Sequence, residues 1–245
     1  MAIDHVEAIR SEASALGAAA RAAPLTTPVP TCPGWDVGRL VGHLGRVHRW
    51  AAAAAAAGGE PVDARGLPKP PTDEAQLLAW FDDGADALVT TLAGIDPAAP
   101  AWNFAGAPPT AAFWSRRQAV ETAMHRWDAE HAVGTAAPID DQLAADGIDE
   151  FLTVLAPYRF ASEDGIDLGG SLHLHCTDVD GEWTIHTDDG VYRIDRGHAK
   201  GDVAVRGPAS QLLLVVFQRL GPGADGVEVF GAPEILDRWR ALGTL

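Results

Sequence analysis

Residues 36–57 read DVGRLVGHLGRVHRWAAAAAAA, and the spacing inside this stretch decides the architecture. Asp36 is a good helix N-cap. Leu40, Leu44, Val47 and Trp50 recur at intervals of three and four, the period of a helix that turns one side inward. The alanine run extends that helix with the strongest helix-forming residue, and Gly58-Gly59 ends it. Such a stripe requires other helices to cover it. His43 falls within the stripe, which predicts a buried imidazole, and a buried polar ring needs a partner.

Working outward, a first helix over 3–23 is stopped by Pro24, and Pro28, Pro30 and Pro33 hold an extended connector into residue 36. Further helices are expected over about 73–92, 111–133 and 140–155, separated by loops rich in Pro and Gly. Long helices joined in this way predict an antiparallel four-helix bundle over residues 1–157. Beyond a linker at 157–171 the hydrophobic period falls to two. Leu172, Leu174 and Cys176 alternate with His173, His175 and Thr177, and Trp183 and Ile185 with Thr184 and His186. Asp180-Gly181 and Asp189-Gly190 read as two-residue hairpin turns. Strands at 203–206 and 227–230 and helices at 208–219 and 233–242 complete a small domain over 165–245. The fold class is therefore α+β, with helices covering the apolar face of a mainly antiparallel sheet.

Charge narrows the partners. Lys and Arg total 18 against 34 Asp and Glu, a net charge of −16, which repels nucleic acid and anionic membranes. No apolar run approaches the roughly 20 residues that span a bilayer, and the first residues lack the basic and apolar regions of a secretory leader. Cys32 and Cys176 are too few for a disulfide framework. A cytosolic protein that meets neither nucleic acid nor membrane is expected.

The fourth helix carries the chemistry. Glu121 and His125 are four residues apart and share one face, with Trp114, Gln118 and Asp128 on the same stripe. If the inward faces of the second and fourth helices meet, His43, Glu121 and His125 form a two-His-one-carboxylate set with positions open for water or substrate. Such a set suits Zn²⁺ or another divalent first-row ion. The bland alternative is a core histidine hydrogen-bonded to a neighbour and an exposed helical Glu–His pair. Asp128, three residues beyond His125, is placed to orient its imidazole, or else is a surface carboxylate. Arg116 and Arg117 open the same helix, where one guanidinium can grip a substrate carboxylate or simply be solvated. His48 lies about 140° round its helix from His43, and His131 about 120° from His125; both are expected in solvent.

A second cluster falls in the C-terminal hairpin. With a two-residue turn at Asp180-Gly181, His175 faces His186 and His173 faces Asp188, while the next turn sets Arg193 opposite His186. This reads as a polar solvent face or a second metal cluster, with the arginine opposing the latter. Nucleotide-binding glycine motifs and the G-x-S-x-G elbow are absent, and Cys32 lies in a Pro-Thr-Cys-Pro-Gly connector without an evident base, as a small buried or loop side chain rather than a nucleophile.

Two stretches, VPTCPGWDVGRLVGHLGRVHRW at 29–50 and FWSRRQAVETAMHRWDAE at 113–130, resemble the mycothiol-dependent maleylpyruvate isomerase family, and the likeness extends over nearly the whole chain. The resemblance implies a DinB-like four-helix bundle followed by a small domain related to sterol-carrier proteins. It implies a metal held by the His of the P-G-W…H-L motif and the Glu and His of the E-x-x-x-H motif, here His43, Glu121 and His125. It also implies that the open metal position takes mycothiol, whose thiolate adds to an activated double bond and allows rotation before leaving, or displaces a leaving group in a transferase relative. The family's substrate-binding arginines do not align securely, so none is carried over.

A metal- and thiol-dependent isomerase or S-transferase acting on a small electrophile is thus the leading expectation. A non-catalytic metal- or thiol-sensing module, or a hydrolase using metal-bound water, are the alternatives.

Overall fold

Three of the four bundle helices begin where an aspartate caps them. In the computed structural model, which describes residues 3–160 and 165–242, α1 (His5–Arg21) opens on Asp4, whose carboxylate accepts from the backbone N–H groups of Val6 and Glu7. Asp36 caps α2 (Val37–Ala56) and Asp73 caps α3 (Glu74–Ala93) in the same way. Each cap satisfies donors that the first helical turn leaves orphaned. The fourth helix, α4 (Ala111–Ala132), follows Thr110. Helix α1 packs on α3 and α4, and α2 on α3 and α4, around Leu16, Leu40, Leu44, Phe81, Leu88 and Met124.

Helix α4 is the most heavily buried of the four. It buries Trp114, Val120 and Trp127, but also Arg117, Gln118, Arg126 and Asp128, so it has no apolar stripe for a periodicity argument to find. Buried charges require partners. Arg126 has them: it donates to Glu12 at 2.6 Å, to Glu130 at 2.8 Å and to the Ala137 carbonyl at 2.6 Å.

The Pro-rich connector ahead of α2 is ordered by its own turn. The Trp35 N–H donates to the Cys32 carbonyl at 2.9 Å, with Pro33 and Gly34 between them, and Gly34 has φ 79°. Proline at the second position and a glycine at positive φ in the third are what a type II turn demands. This turn delivers Trp35 to the start of α2.

The chain divides into two compact units between Pro138 and Ile139. The fifth helix, α5 (Asp141–Glu150), runs through a π-helical turn at Phe151–Leu155 into α6 (Ala156–Phe160). It belongs to the second unit, whereas the sequence reading placed it in the bundle. Its buried Leu143, Ala144 and Ile148 reveal an apolar face, but periodicity does not say which partner covers that face; here it is α7 (Ala209–Val216). Part of the expected linker is therefore helical, and its residues 161–164 lie outside the described residues.

The second unit holds β1 (Leu172–Cys176), β2 (Glu182–Asp188), β3 (Val191–Arg196), β4 (Val203–Gly207) and β5 (Glu228–Gly231), in the order β3-β2-β1-β4-β5. Among the described residues only the β1–β4 pair is parallel. Leu172, Leu174, Ile185, Val203 and Val205 are buried, and α7 packs on β1 and β4, with α8 (Pro233–Leu242) also against β4. No helix among the described residues is long and apolar enough to cross a membrane.

One hairpin departs from its expected register. At the second turn Asp189 (φ 48°) and Gly190 (φ 76°) form the two-residue connection, and Arg193 pairs with His186 as read from the sequence. At the first, His175 pairs with Glu182 and His173 with Thr184, not with His186 and Asp188. The reason lies on the other side of β1. The Thr177 N–H donates to the Gly207 carbonyl, and the Asp178 carboxylate accepts from the Ala209 N–H at the start of α7. Those bonds hold the chain along β4 past the point where a tight turn would begin, so Thr177–Gly181 becomes a longer loop.

Candidate metal centre

His43 projects from the second turn of α2, and Glu121 and His125 from successive turns of α4. The structure brings the three together: His43 Nε2 and His125 Nε2 each lie 3.4 Å from Glu121 Oε1, and the two imidazole rings meet edge-on with centroids 5.2 Å apart. One ligand atom from each falls within 4.8 Å of the others. Trp35 stands over both rings, 4.9 Å from His43 and 6.1 Å from His125.

The surroundings fix each of these groups. Arg117, buried, donates to Glu121 Oε2 at 3.1 Å, which leaves Oε1 turned to the histidines. His125 Nδ1 lies 2.9 Å from Asp128 Oδ2, so its Nε2 faces Glu121. Asp128, wholly buried, is itself held by Thr31 at 2.6 Å and by the Cys32 thiol at 3.5 Å. A carboxylate that orients a histidine through its far nitrogen is the usual support of a metal-binding imidazole. Arg116 lies half-exposed on α4.

Electrostatics follow. Burial pushes the Glu121 carboxyl up, but hydrogen bonds with His125 and His43 and the nearby charges of His125 and Arg117 outweigh it and hold the group well below the usual carboxylate range. Burial opposes charge on His125, yet its bonds to Asp128, Cys32 and Glu121 hold its pKa well above that of an ordinary imidazole. The donor set of two imidazoles and one carboxylate fits a borderline divalent ion, and that ion would take the place of the His125 proton.

Four sequence expectations need correction. Arg117, read as gripping a substrate carboxylate or lying in solvent, is buried and bound to Glu121, because α4 turns that face inward. His43 is not buried; its side chain is 36% exposed, because the inward face of α2 is centred on Leu40, Val41, Leu44, Gly45 and His48, one strip round from the stripe read through Val47 and Trp50. His48, expected in solvent, is wholly buried for the same reason, with Nε2 3.0 Å from Thr122 Oγ1. Cys32 does contact the site, through Asp128, because the connector folds back against α4. His131 is exposed and stacks on Trp127, in keeping with its reading.

The sequence reading also missed two cations. A cleft of about 420 Å³ meets the trio at His43 and is lined by Trp35, Arg39, Arg46, Trp50 and the 64–71 loop. Arg39, His43, Arg46 and Trp50 are spaced i, i+4, i+7 and i+11 along α2, one helical stripe, and that spacing was the available signal. Arg39 lies 5.2 Å over the Trp35 ring, and Arg46 donates to the Ala64 carbonyl at 3.2 Å.

Comparison with known proteins gives concordant findings. The family model described as the mycothiol maleylpyruvate isomerase N-terminal domain matches residues 6–130, and that family's C-terminal domain matches residues 142–238. The fold is similar to crystal structures of the mycothiol-dependent maleylpyruvate isomerase and of a histidine-to-alanine mutant of it. In each case the TM-score is 0.61 at 13% sequence identity, over 92% of this chain and 91% of the other. Among curated proteins no sequence matches.

Proposed function

The chain belongs to the mycothiol maleylpyruvate isomerase family, and on that premise we propose that it is a metal-dependent enzyme that uses a low-molecular-weight thiol, mycothiol, against a small electrophile. The observation that carries this reading is the convergence of His43 Nε2 and His125 Nε2 on one oxygen of Glu121 beside a cleft bearing two arginines. A divalent ion, Zn²⁺ in the first instance, held by His43, Glu121 and His125 would supply Lewis acidity that lowers a thiol's pKa and provides thiolate near neutral pH.

The chain's own residues do the rest. Arg117 and Asp128 hold Glu121 and His125 in one orientation, so the site does not reorganise when charge develops. Arg39 and Arg46 offer guanidinium groups on the cleft wall for carboxylates of a substrate or thiol. Trp35 and Trp50 give the cleft apolar walls that exclude water.

The test is turnover of an electrophile with a cis-activated double bond, with and without thiol and with and without metal. Rearrangement that requires both, without net thiol loss, is the expected result; net consumption of thiol identifies a transferase. Turnover without thiol would instead identify a hydrolase, and ligand-induced thermal stabilisation without turnover a binding module. Arg46→Gln is expected to raise KM for a carboxylate-bearing substrate about tenfold or more, the loss of one charge-assisted hydrogen bond, with bound metal unchanged. Equal KM values would remove Arg46 from substrate binding.

A further inference from the structure

The C-terminal unit holds a second set of ligand-type side chains that the reading above does not use. His173 and His175 lie two residues apart on β1 and so share one face of the sheet. The β1–β2 register places Glu182 directly beside His175. At the end of β3 the Gly197 N–H donates to the Glu182 carbonyl at 2.9 Å, with Gly197 at φ 105°, and this bond turns His198 back over the same spot.

Three imidazoles therefore converge on one carboxylate oxygen. His198 Nδ1, His173 Nε2 and His175 Nδ1 lie 2.8, 3.1 and 3.3 Å from Glu182 Oε2. The ring centroids form a near-equilateral triangle with sides of 5.8, 6.2 and 6.4 Å. A single carboxylate oxygen has two lone pairs and cannot serve three ring N–H donors well. A cation among the four groups removes the conflict, since each nitrogen then offers a lone pair instead of a proton.

Two further features favour an ion. His173 is buried, and its other nitrogen lies 3.1 Å from Thr184 Oγ1, which fixes the ring with Nε2 aimed at the cluster in the manner of a supported metal ligand. The arginine that opposed a site here in the sequence reading, Arg193, pairs with His186 on the β2–β3 side, and His186 is not in the cluster; its partner is Asp195, at 3.6 Å.

We propose that His173, His175, Glu182 and His198 form a second metal site, for a divalent first-row ion of the zinc class. Four protein ligands complete a tetrahedron, so this is a closed, structural site rather than a catalytic one. Tetrahedral binding at about 2.0–2.1 Å places ligand atoms about 3.4 Å apart, against the 4.8 Å within which they now all lie. His198, with its side chain 81% exposed, and His175, at 30%, have room to close that gap. The ion would tie the end of β3 to the β1–β2 pair.

The test uses the full chain, stripped with chelator and reloaded with Zn²⁺ or Co²⁺ alone. In a His43→Ala/Glu121→Gln background one ion per chain is expected to survive gel filtration, with the visible absorption of tetrahedral Co²⁺. Adding His175→Gln and His198→Ala, both at accessible positions, should abolish binding and the thermal stabilisation that the ion confers. In the otherwise wild-type chain the same pair should lower the ion count by one. No ion in the first variant, or an ion retained after loss of His175 and His198, would overturn the proposal. Because these measurements count ions and not turnover, they stand or fall separately from the thiol-enzyme reading.

Discussion

His125→Ala is expected to empty the bundle site and abolish thiol-dependent turnover. The substitution leaves two donors, His43 Nε2 and Glu121 Oε1, and takes the supporting Asp128 contact with it. Disturbing only the groups behind a metal ligand costs about 10–100-fold in metal affinity, so removing the ligand itself should cost more than about 100-fold. The check is metal content by elemental analysis beside turnover, with circular dichroism to establish that the bundle is intact. Unchanged ion content at the bundle site would dispose of this ligand set.

The pH dependence of loading gives a second readout with a defined sign. The ion needs neutral His125, whose pKa is held well above 6.5, while Glu121 is held ionised. Protons therefore compete with the ion at His125 already above pH 6.5, and binding should release a proton and weaken as pH falls.

The second large effect concerns His48 and acid stability. Its Nε2 must donate to Thr122 Oγ1, because the Thr122 hydroxyl proton is directed at the Gln118 carbonyl at 2.6 Å. The other nitrogen, Nδ1, is buried with no partner among the described residues. The folded bundle thus accepts this ring only as the neutral form, and burial pushes its pKa down to about 3.

In the unfolded chain the same imidazole titrates near 6.5. Stability is therefore whole above pH 6.5 and is lost as pH falls from there to about 3, by about 3 kcal/mol at pH 4 and about 5 kcal/mol at the limit, at 1.36 kcal/mol per unit. His125, with its raised value, acts in the opposite sense in the metal-free protein, so the comparison must be with a variant. His48→Leu is expected to flatten the dependence of the urea midpoint on pH between 6.5 and 4 relative to wild type. Parallel curves for the two proteins would show that His48 is not the acid-labile group.

Legibility differed sharply between elements. Helices α1 to α4 were read close to their observed bounds, because Asp caps, proline stops and glycine ends are local signals whose meaning does not depend on neighbours. The strand alternation was equally clear. The first hairpin register was not, since the bonds that displaced it come from β4 and α7, which are distant in sequence. The pair of Glu121 and His125 was visible from spacing alone. Thr31, Cys32 and Arg117 around it were not, because their roles depend on how a connector and a buried face of α4 come to rest.

By itself, then, the sequence determined the class of fold, the helix and strand inventory and the residue types able to hold a divalent ion, all properties that short-range periodicity and chemistry encode. Tertiary structure alone decided the rest. It set which strip of α2 turns inward, exchanging the expected burial of His43 and His48, and it gave α5 to the second unit. It also replaced His186 and Asp188 by Glu182 and His198 beside the β1 histidines. In each case a helix or strand advertises a face, but the partner that covers it is chosen by packing between segments far apart in the chain, which no local pattern contains.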